Sequence, residues 1–286
     1  MCMANIASVV RRKVANWTVT AVRKDGSQAS KPDVLVTEEP LEIRAESPHQ
    51  EAQPIAVTMR TPGHDFELAV GFLYTEGMIK RADDVRNVRY CQLPDSAEQQ
   101  FNVVTVGLSV PFDEALSRRG MVTSASCGIC GTTSIEQLAQ ITSRIELTTG
   151  PVMTSKMLTS LPDIIRKAQP TFDRTGGLHA AGLVDASGDA YCVREDIGRH
   201  NAVDKVIGKA VLDSKLPISN HALVVSGRLS FEIIQKAAMA GIAFIAAVGA
   251  PSNLAVQTAE DLGITLVGFV RDGTANIYTH KHRITN

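Results

Sequence analysis

The chain has 286 residues, 44% of them hydrophobic and 21% charged, and a formal net charge of −1. This length and composition are typical of a globular protein that can bury a sizeable core in one large domain or two modest ones. The near-neutral charge argues against a general nucleic-acid-binding surface, and no apolar run approaches the roughly 18 residues that a membrane helix needs.

The first part of the chain, residues 1–119, is predicted to be a small, β-rich mixed domain behind a short N-terminal arm. Asp65 is predicted to be the N-cap of an apolar helix that ends at Gly77. Short runs of strand-forming residues are separated by Gly, Pro and charged positions. These runs are Trp17–Val22, Val34–Val36, Ile55–Met59 and Phe101–Val106.

The second part, residues 132–286, is predicted to be an α/β domain with a mainly parallel sheet. Leu178–Val184 and Tyr191–Val193 flank a turn and are predicted to form a hairpin. Strand and helix patterns then alternate, as they do in parallel βαβ units. The predicted elements are strands Ala222–Val225, Ala243–Val248 and Thr265–Phe269 and helices Arg199–Leu212, Ser230–Ala240 and Asn253–Leu262.

Glycine-rich polar loops follow these strands and are predicted to meet at the carboxyl edge of the sheet, where open α/β sheets bind ligands. Backbone N–H groups at helix starts, Ser and Asn side chains and Arg guanidinium groups suit phosphate oxygens, so we expect an anionic, nucleotide-like ligand. The expected binding residues are His200, Ser226, Gly227, Arg228, Ser252, Asn253, Phe269, Val270, Arg271, Asp272, Gly273 and Thr274.

Structural roles compete with these assignments. Arg228 and Arg271 would also pair well with carboxylates such as those of Glu195 and Asp272, and His200 would also suit a helix cap. Convergence of several basic loops favours ligand binding over these alternatives.

A Cys-Gly-Ile-Cys motif, Cys127 to Cys130, lies in a predicted loop, residues 120–131, between the two parts. A capping signal at 133–136 predicts a helix start just after it, and a helix N-terminus lowers the pKa of a nearby thiol. Structural zinc would need further ligands, and no metal site is expected. A thioredoxin-like dithiol would follow a buried strand, so loop placement fits a sulfur carrier best.

The five cysteines are odd in number and widely spread, which is unlike a disulfide framework and favours the cytoplasm. Cys2, Cys91 and Cys192 are expected to be incidental or packed thiols.

Six segments form a specific combination, although each is weak alone: Asp65–Gly77, Ser126–Gly131, Thr175–His179, Arg194–Lys205, Ser226–Arg228 and Gly249–Asn253. Together they resemble the formate dehydrogenase accessory sulfurtransferases, the FdhD family, over roughly residues 15–280. The resemblance implies a cytidine-deaminase-like fold without zinc chemistry.

The resemblance also implies an activity. Members of that family take sulfur from a cysteine desulfurase and sulfurate bis-molybdopterin guanine dinucleotide before it enters the formate dehydrogenase catalytic subunit. The resemblance makes Cys127 the persulfide carrier and Cys130 the second thiol of the motif, and it implies a homodimer. The guanine-dinucleotide site resembles Phe269–Thr274, where guanine nucleotides are expected to bind. The competing hypothesis is a non-catalytic cofactor chaperone with a structural or redox-sensing cysteine pair.

Overall fold

The computed structural model describes residues 12–91, 101–111, 121–123 and 149–286. Within these ranges, no helix is both long and apolar enough to span a bilayer. The α-helices are α1 Asp65–Thr75, α2 Ser155–Arg166, α3 Pro170–Thr175, α4 Arg199–Leu212, α5 Phe231–Met239 and α6 Asn253–Asp261. The strands are β1 Val14–Val22, β2 Gln28–Val36, β3 Glu39–Glu46, β4 Gln53–Arg60, β5 Val85–Tyr90, β6 Val103–Leu108, β7 Met121–Thr123, β8 Met153–Thr154, β9 His179–Asp185, β10 Ala190–Asp196, β11 His221–Val225, β12 Phe244–Ala247, β13 Thr265–Arg271, β14 Thr274–Ile277 and β15 Ile284–Thr285.

A five-stranded sheet in the first part has the order β5-β6-β3-β4-β7. Along β3, Leu41, Ile43 and Ala45 are fully buried, while Glu42 and Arg44 between them are half-buried. This two-residue period is that of a strand with one face on the core. Separately, β1 and β2 form a two-stranded antiparallel ribbon.

A six-stranded sheet in the second part has the order β10-β9-β11-β12-β13-β14. The prediction of a mainly parallel sheet is wrong, because β11, β12 and β13 alone run parallel, and β9, β10 and β14 pair antiparallel with their neighbours. A chain that reverses in a tight turn has to pair antiparallel with the strand it leaves, as at the β9–β10 and β13–β14 turns. Helical crossovers through α5 and α6 return the chain in its original direction.

Helices α1 and α4 cross closely enough for their backbones to touch. A Cβ atom built on Gly71 would lie 1.9 Å from the carbonyl oxygen of Asp204, and one on Gly208 would lie 1.8 Å from that of Glu67. One cluster of buried side chains therefore runs from Leu41 and Leu68 of the first part to Val206 and Ile245 of the second. The predicted boundaries at residues 119 and 132 lie outside the described residues, so the two-domain division stays a prediction.

Asp65 is the first residue of α1, so its prediction as the N-cap is wrong. The N-cap is His64, which adopts a left-handed backbone and contributes no side-chain cap. The Asp65 carboxylate instead accepts two hydrogen bonds from the Arg60 guanidinium, at 3.1 and 2.9 Å, and one from the backbone N–H of Gly63. Gly77, with φ 76°, follows the helix end, as predicted.

Candidate functional site

The carboxyl edge of the six-stranded sheet gathers the predicted polar loops. β9 runs antiparallel to β11, so its first residue, His179, lies at the same edge as Asp196, the last residue of β10 with which it pairs. The loop N–H groups continue the ladder, because Gly249 donates to the Gly227 carbonyl at 3.2 Å and Phe269 donates to the Gly249 carbonyl at 3.1 Å. The loops after β11, β12 and β13 thus form one continuous surface.

Close backbone packing at this edge requires glycine. A Cβ atom on Gly249 would lie 2.7 Å from the carbonyl oxygen of Gly227, which no ordinary residue tolerates. The glycine-rich composition of these loops therefore has a structural cause, and it also exposes backbone groups to a ligand.

The β13–β14 hairpin carries the predicted segment 269–274. Phe269 has φ 52°, at a register shift between Gly268 and Arg271, and a bulky residue in the left-handed region is strained. The Arg271 guanidinium lies 5.5 Å from the centre of the Phe269 ring. Arg271, Asp272, Gly273 and Thr274 are exposed, whereas Val270 is 1% exposed and packs in the core instead. The bulge thus presents an aromatic ring beside a cation at the sheet edge.

His200 lies on the first turn of α4, half-buried against α5. Its Nε2 atom is 3.3 Å from the Ser230 hydroxyl and 4.0 Å from the Glu232 carboxylate. Burial, with the charges of Lys236 and Arg199, lowers the pKa of His200 to about 4. His200 is therefore neutral at neutral pH, and it acts as a hydrogen-bonding group rather than as a cation.

This pKa predicts an acid-sensitive fold. Between pH 6.5 and 4 the unfolded chain binds a proton at His200 that the folded chain excludes, so the free energy of unfolding falls as the pH falls, by up to about 3 kcal/mol from this group. His200→Gln should flatten the pH dependence of that free energy, measured by urea denaturation at several pH values between 7 and 4. An unchanged slope would contradict the assignment.

Two further predicted residues lie at the start of α6. Ser252 is its N-cap, and the Ser252 hydroxyl accepts a hydrogen bond from the backbone N–H of Ala255 at 3.2 Å. Asn253 follows as an exposed first helical residue. Ser252 thus has a structural role, whereas the Asn253 amide faces solvent.

A basic cluster surrounds Gly227, and two of its members, His179 and Arg199, are not among the predicted binding residues. A Cβ atom at Gly227 would lie 3.3 Å from His179 Nδ1 and 3.7 Å from Arg199 Cδ, so these two side chains border the same space. The Arg199 Nε atom is buried and has no hydrogen-bond partner among the described residues. Burial, with the charges of Arg199 and Arg228, lowers the pKa of His179. Arg199 and Arg228 thus place positive charge beside His179, and the Asp196 and Glu232 carboxylates offset part of it.

Glu195 and Asp272 are the carboxylates that the sequence offered as partners of Arg228 and Arg271. Glu195 accepts hydrogen bonds from the backbone N–H groups of Thr171 and Phe172, at 3.2 and 2.7 Å, and so stabilises the start of α3. Over the described ranges, neither Arg228 nor Arg271 forms an ion pair with a carboxylate. The structural alternative for these two arginines therefore finds no support.

A buried ion pair holds the loop after β10 in place. Asp196 lies 2.6 Å from Lys205 Nζ, and the two side chains are at most 1% exposed. Asp196 also accepts hydrogen bonds from the backbone N–H groups of Gly198, at 2.8 Å, and Thr61, at 3.2 Å. Lys205 donates to the Thr61 carbonyl at 3.0 Å. This network joins the β4–α1 connection to the start of α4 and so positions Arg199.

Beside His179 opens a cavity of about 600 Å³, bounded by α2, α3 and the sheet edge. Gln169, Ser226 and Val248 line it together with His179. The segment 175–179 borders this cavity through Gly176, Gly177 and Leu178 as well as His179.

Of the two described cysteines, Cys192 is a poor nucleophile by position. Cys192 is 7% exposed, and burial raises the pKa of its thiol to about 12, as expected for a packed residue. The Cys91 sulfur lies 3.0 Å from the Thr105 hydroxyl oxygen. Cys127 and Cys130 lie outside the described residues, and no His, Cys, Asp and Glu group suited to a metal occurs within them.

Fold and site together define a mixed α/β protein with a basic, glycine-rich edge of the six-stranded sheet. The FdhD/NarQ family model matches residues 36–285, and the chain belongs to this family. Proteins named sulfur carrier protein FdhD are similar to it: that of Streptomyces avermitilis is 47% identical over 91% of the chain and 92% of the relative. That of Mycolicibacterium paratuberculosis is 46% identical over 96% and 98%.

A solved structure shares the fold. A crystal structure from Desulfotalea psychrophila, described as that of a formate dehydrogenase accessory protein, has a TM-score of 0.73 and covers 96% of this chain and 100% of its own, with 23% sequence identity. At this identity the likeness concerns the fold alone.

Proposed function

We propose that this protein is a sulfurtransferase that carries sulfur as a persulfide on Cys127 and delivers it to bis-molybdopterin guanine dinucleotide, the cofactor of formate dehydrogenase. The observation that carries the proposal is that the chain belongs to the FdhD/NarQ family. The relatives named sulfur carrier protein FdhD match this chain over nearly their whole length. The basic sheet edge supports the cofactor part.

Loading begins when the Cys127 thiolate attacks the outer sulfur of a persulfide on a cysteine desulfurase. The S–S bond of the donor breaks, its cysteine leaves as a thiolate, and the outer sulfur remains bound to Cys127. Release follows by attack of a thiolate on the Cys127 sulfur, either that of a small-molecule thiol or that of Cys130. In the second case the two cysteines become a disulfide, and the transferred sulfur leaves as hydrosulfide, with a small-molecule thiol then reducing the disulfide.

The sheet edge suits the cofactor as a bound substrate. The groups that support binding there are the Arg199 guanidinium, the exposed Arg228, and Arg271 next to the Phe269 ring. Guanidinium groups and loop N–H groups match a diphosphate, and an aromatic ring beside a cation matches a stacked base. In this proposal the guanine lies on the hairpin 269–274, where guanine nucleotides also bind.

The remaining parts of the proposal concern the cellular setting. The desulfurase and the formate dehydrogenase catalytic subunit are the partners, the protein acts as a homodimer, and the exchange takes place in the cytoplasm. The proposal also includes a cytidine-deaminase-like fold for the six-stranded sheet and its helices.

Mass spectrometry after incubation with a desulfurase and cysteine tests the carrier. The unaltered protein should gain one sulfur that a reductant removes, and Cys127→Ala should abolish this gain. Cys91→Ala is the matched control and should keep it, because Cys91 is not part of the motif. A labile sulfur that persists in Cys127→Ala would exclude Cys127, whereas Cys130→Ala reports whether release requires the second thiol.

Thermal unfolding in the presence of guanosine diphosphate tests whether the sheet edge binds a guanine nucleotide. A ligand that binds the folded state raises the midpoint, by an amount equivalent to about 2.7 kcal/mol at a hundred times its dissociation constant. Arg271→Ala should reduce the shift, whereas Arg81→Ala, an exposed arginine beside the first sheet, should leave it unchanged. No shift for the unaltered protein at saturating nucleotide would contradict the site.

A cofactor chaperone without sulfur transfer is the second candidate. The observation that favours it is that described residues of α4 and the sheet bring the proposed binding groups of the sheet edge together. If a Cys127→Ala and Cys130→Ala double variant still activated formate dehydrogenase, this candidate would replace the first.

A further inference from the structure

Strand β1 of the two-stranded ribbon has a free edge in the described part of the chain. The backbone N–H of Thr37 donates to the Lys13 carbonyl and that of Arg23 to the Ser27 carbonyl, both at 2.9 Å, so the odd-numbered residues of β1 face β2. Backbone groups alternate in direction along an antiparallel strand, and those of the even-numbered residues 14–22 therefore face away from β2. Among the residues that the structure describes, no strand pairs with that side of β1.

The corresponding edge of β2 is blocked. Pro32, which pairs with Thr18, faces outward there and has no N–H group to donate. The next outward-facing N–H group, that of Val34, donates to the Asp33 carboxylate at 2.9 Å. Proline and charged side chains are common means of keeping an edge strand from pairing. β1 has neither, because the nine residues Val14–Val22 include no proline, glycine or charged side chain.

The ribbon also exposes an apolar face. Trp17, the single tryptophan of the chain, is 62% exposed, and Leu35 on the same face is 42% exposed. Tryptophan is enriched at the centres of protein interfaces. Two strands alone are marginally stable in water, whereas three strands with an apolar face are stable. A third strand beside β1 would therefore stabilise the ribbon and cover its apolar face.

Cations surround the base of the ribbon, where β1 begins. A groove of about 1060 Å³ there is lined by three cations, Arg12, Lys13 and Arg174, and by one carboxylate, that of Glu39. Glu39 lies 3.2 Å from the buried Arg60 guanidinium. The three cations form no ion pair with any carboxylate of the described ranges. The start of the free edge thus attracts negative charge.

The tip of the ribbon, the turn between β1 and β2, has two more cations. Arg23 and Lys24 are exposed, and the Asp25 carboxylate beside them accepts a backbone hydrogen bond within the turn at 2.9 Å. A second copy of β1, paired antiparallel over the whole strand, would place the cations of the base opposite those of the tip. Like charges directly opposite each other destabilise a strand pair. A strand with acidic ends is attracted at both ends instead.

We propose that the free edge of β1 binds an extended, acidic segment of a partner protein, which adds to the ribbon as a third strand. Its backbone pairs with the outward-facing groups of residues 14–22, its apolar side chains pack beside Trp17, and its acidic ends face the base and the tip. Strand addition of this kind gives affinity through main-chain hydrogen bonds and specificity through side chains. The ribbon precedes residue 36, where the family model begins, so this docking is separate from what defines the family.

Fluorescence titration with a synthetic peptide tests the proposal. The probe is a peptide of alternating valine and threonine residues with two glutamates at each end, and Trp17 reports its binding because the chain has no other tryptophan. We expect a saturable change in emission. A peptide with lysines in place of the glutamates should bind at least about tenfold more weakly. No saturable change, or equal binding of the two peptides, would overturn the proposal.

Two proline variants compare the two edges. Thr18→Pro removes an outward-facing N–H group of β1 and should weaken binding of the glutamate peptide at least about tenfold. Ser30→Pro is the matched control, since it makes the same change on the blocked edge of β2, and should leave the affinity unchanged. Arg12→Glu should weaken the glutamate peptide and strengthen the lysine peptide. Equal affinities of Thr18→Pro and the unaltered protein would contradict strand addition at β1.

Hydrogen exchange on the unaltered protein, measured by NMR, keeps the test independent of how the variants fold. The glutamate peptide should slow exchange of the even-numbered amides in residues 14–22, whereas the odd-numbered amides are already bonded to β2. Absence of this added protection would overturn the proposal even if Thr18→Pro unfolds. Protection that increases with the concentration of the protein alone would assign the edge to a second copy and would also overturn it.

Discussion

Lys205→Met is expected to destabilise the protein by about 3–5 kcal/mol, because it leaves the Asp196 carboxylate buried without its cation. The carboxylate still accepts backbone N–H hydrogen bonds, but its charge is no longer compensated. Methionine has nearly the length of the lysine side chain, so the loss measures the charge rather than a cavity. Urea denaturation at pH 7, compared with that of the unaltered protein, measures the change in the free energy of unfolding.

Lys209→Met is the matched control. Lys209 lies one turn further along the same helix, and its ion pair with Asp213, at 2.6 Å, is about one-third exposed. Such a pair contributes only about 0.5 kcal/mol, and its loss should be barely measurable. If the two variants were equally stable, the Asp196–Lys205 pair would not be what fixes the start of α4.

Gly208→Ala is expected to cost at least about 3 kcal/mol or to prevent folding. In an exposed helix the same change would stabilise by about 1 kcal/mol through helix propensity. Here the added methyl group would lie 1.8 Å from the Glu67 carbonyl oxygen and force α1 away from α4. Because the two helices join the two parts of the core, the thermal midpoint measured by circular dichroism should fall sharply.

Lys209→Ala serves as the control, since it adds no atom and lies at the neighbouring, more exposed position of the same helix. Its effect should stay within about 0.5 kcal/mol. Gly71→Ala should reproduce the Gly208→Ala effect, because the Gly71 Cβ atom would meet the Asp204 carbonyl at 1.9 Å. A neutral Gly208→Ala would mean that the two helices separate without loss of packing.

Much of the second sheet is predictable from local patterns. Helix α4 has the predicted bounds, and α5 and α6 differ from theirs only at capping residues. Strands β11, β12 and β13 are short apolar runs followed by glycine, and such runs report burial directly. Elements with weaker local signals are missing from the sequence prediction: β3, despite its alternating Leu41, Ile43 and Ala45, and α2, which contains Pro162.

The direction of β9 in the sheet determines where His179 lies, and the local sequence does not specify that direction. β9 lies between β10 and β11 and runs antiparallel to both, which brings His179 to the carboxyl edge of the parallel strands. Strand order depends on pairings between segments distant in the chain, whose relative energies no local pattern reports.

The sequence by itself determined the family, the presence of polar loops after apolar strands and the single pair of closely spaced thiols, because each is written in contiguous residues. Only the tertiary structure decided that the sheet is mixed, that Asp65 pairs with Arg60 instead of capping α1, and that His179, Arg199 and Gly227 meet. Burial and the loss of solvent give these long-range contacts their energy, and both arise when the chain packs.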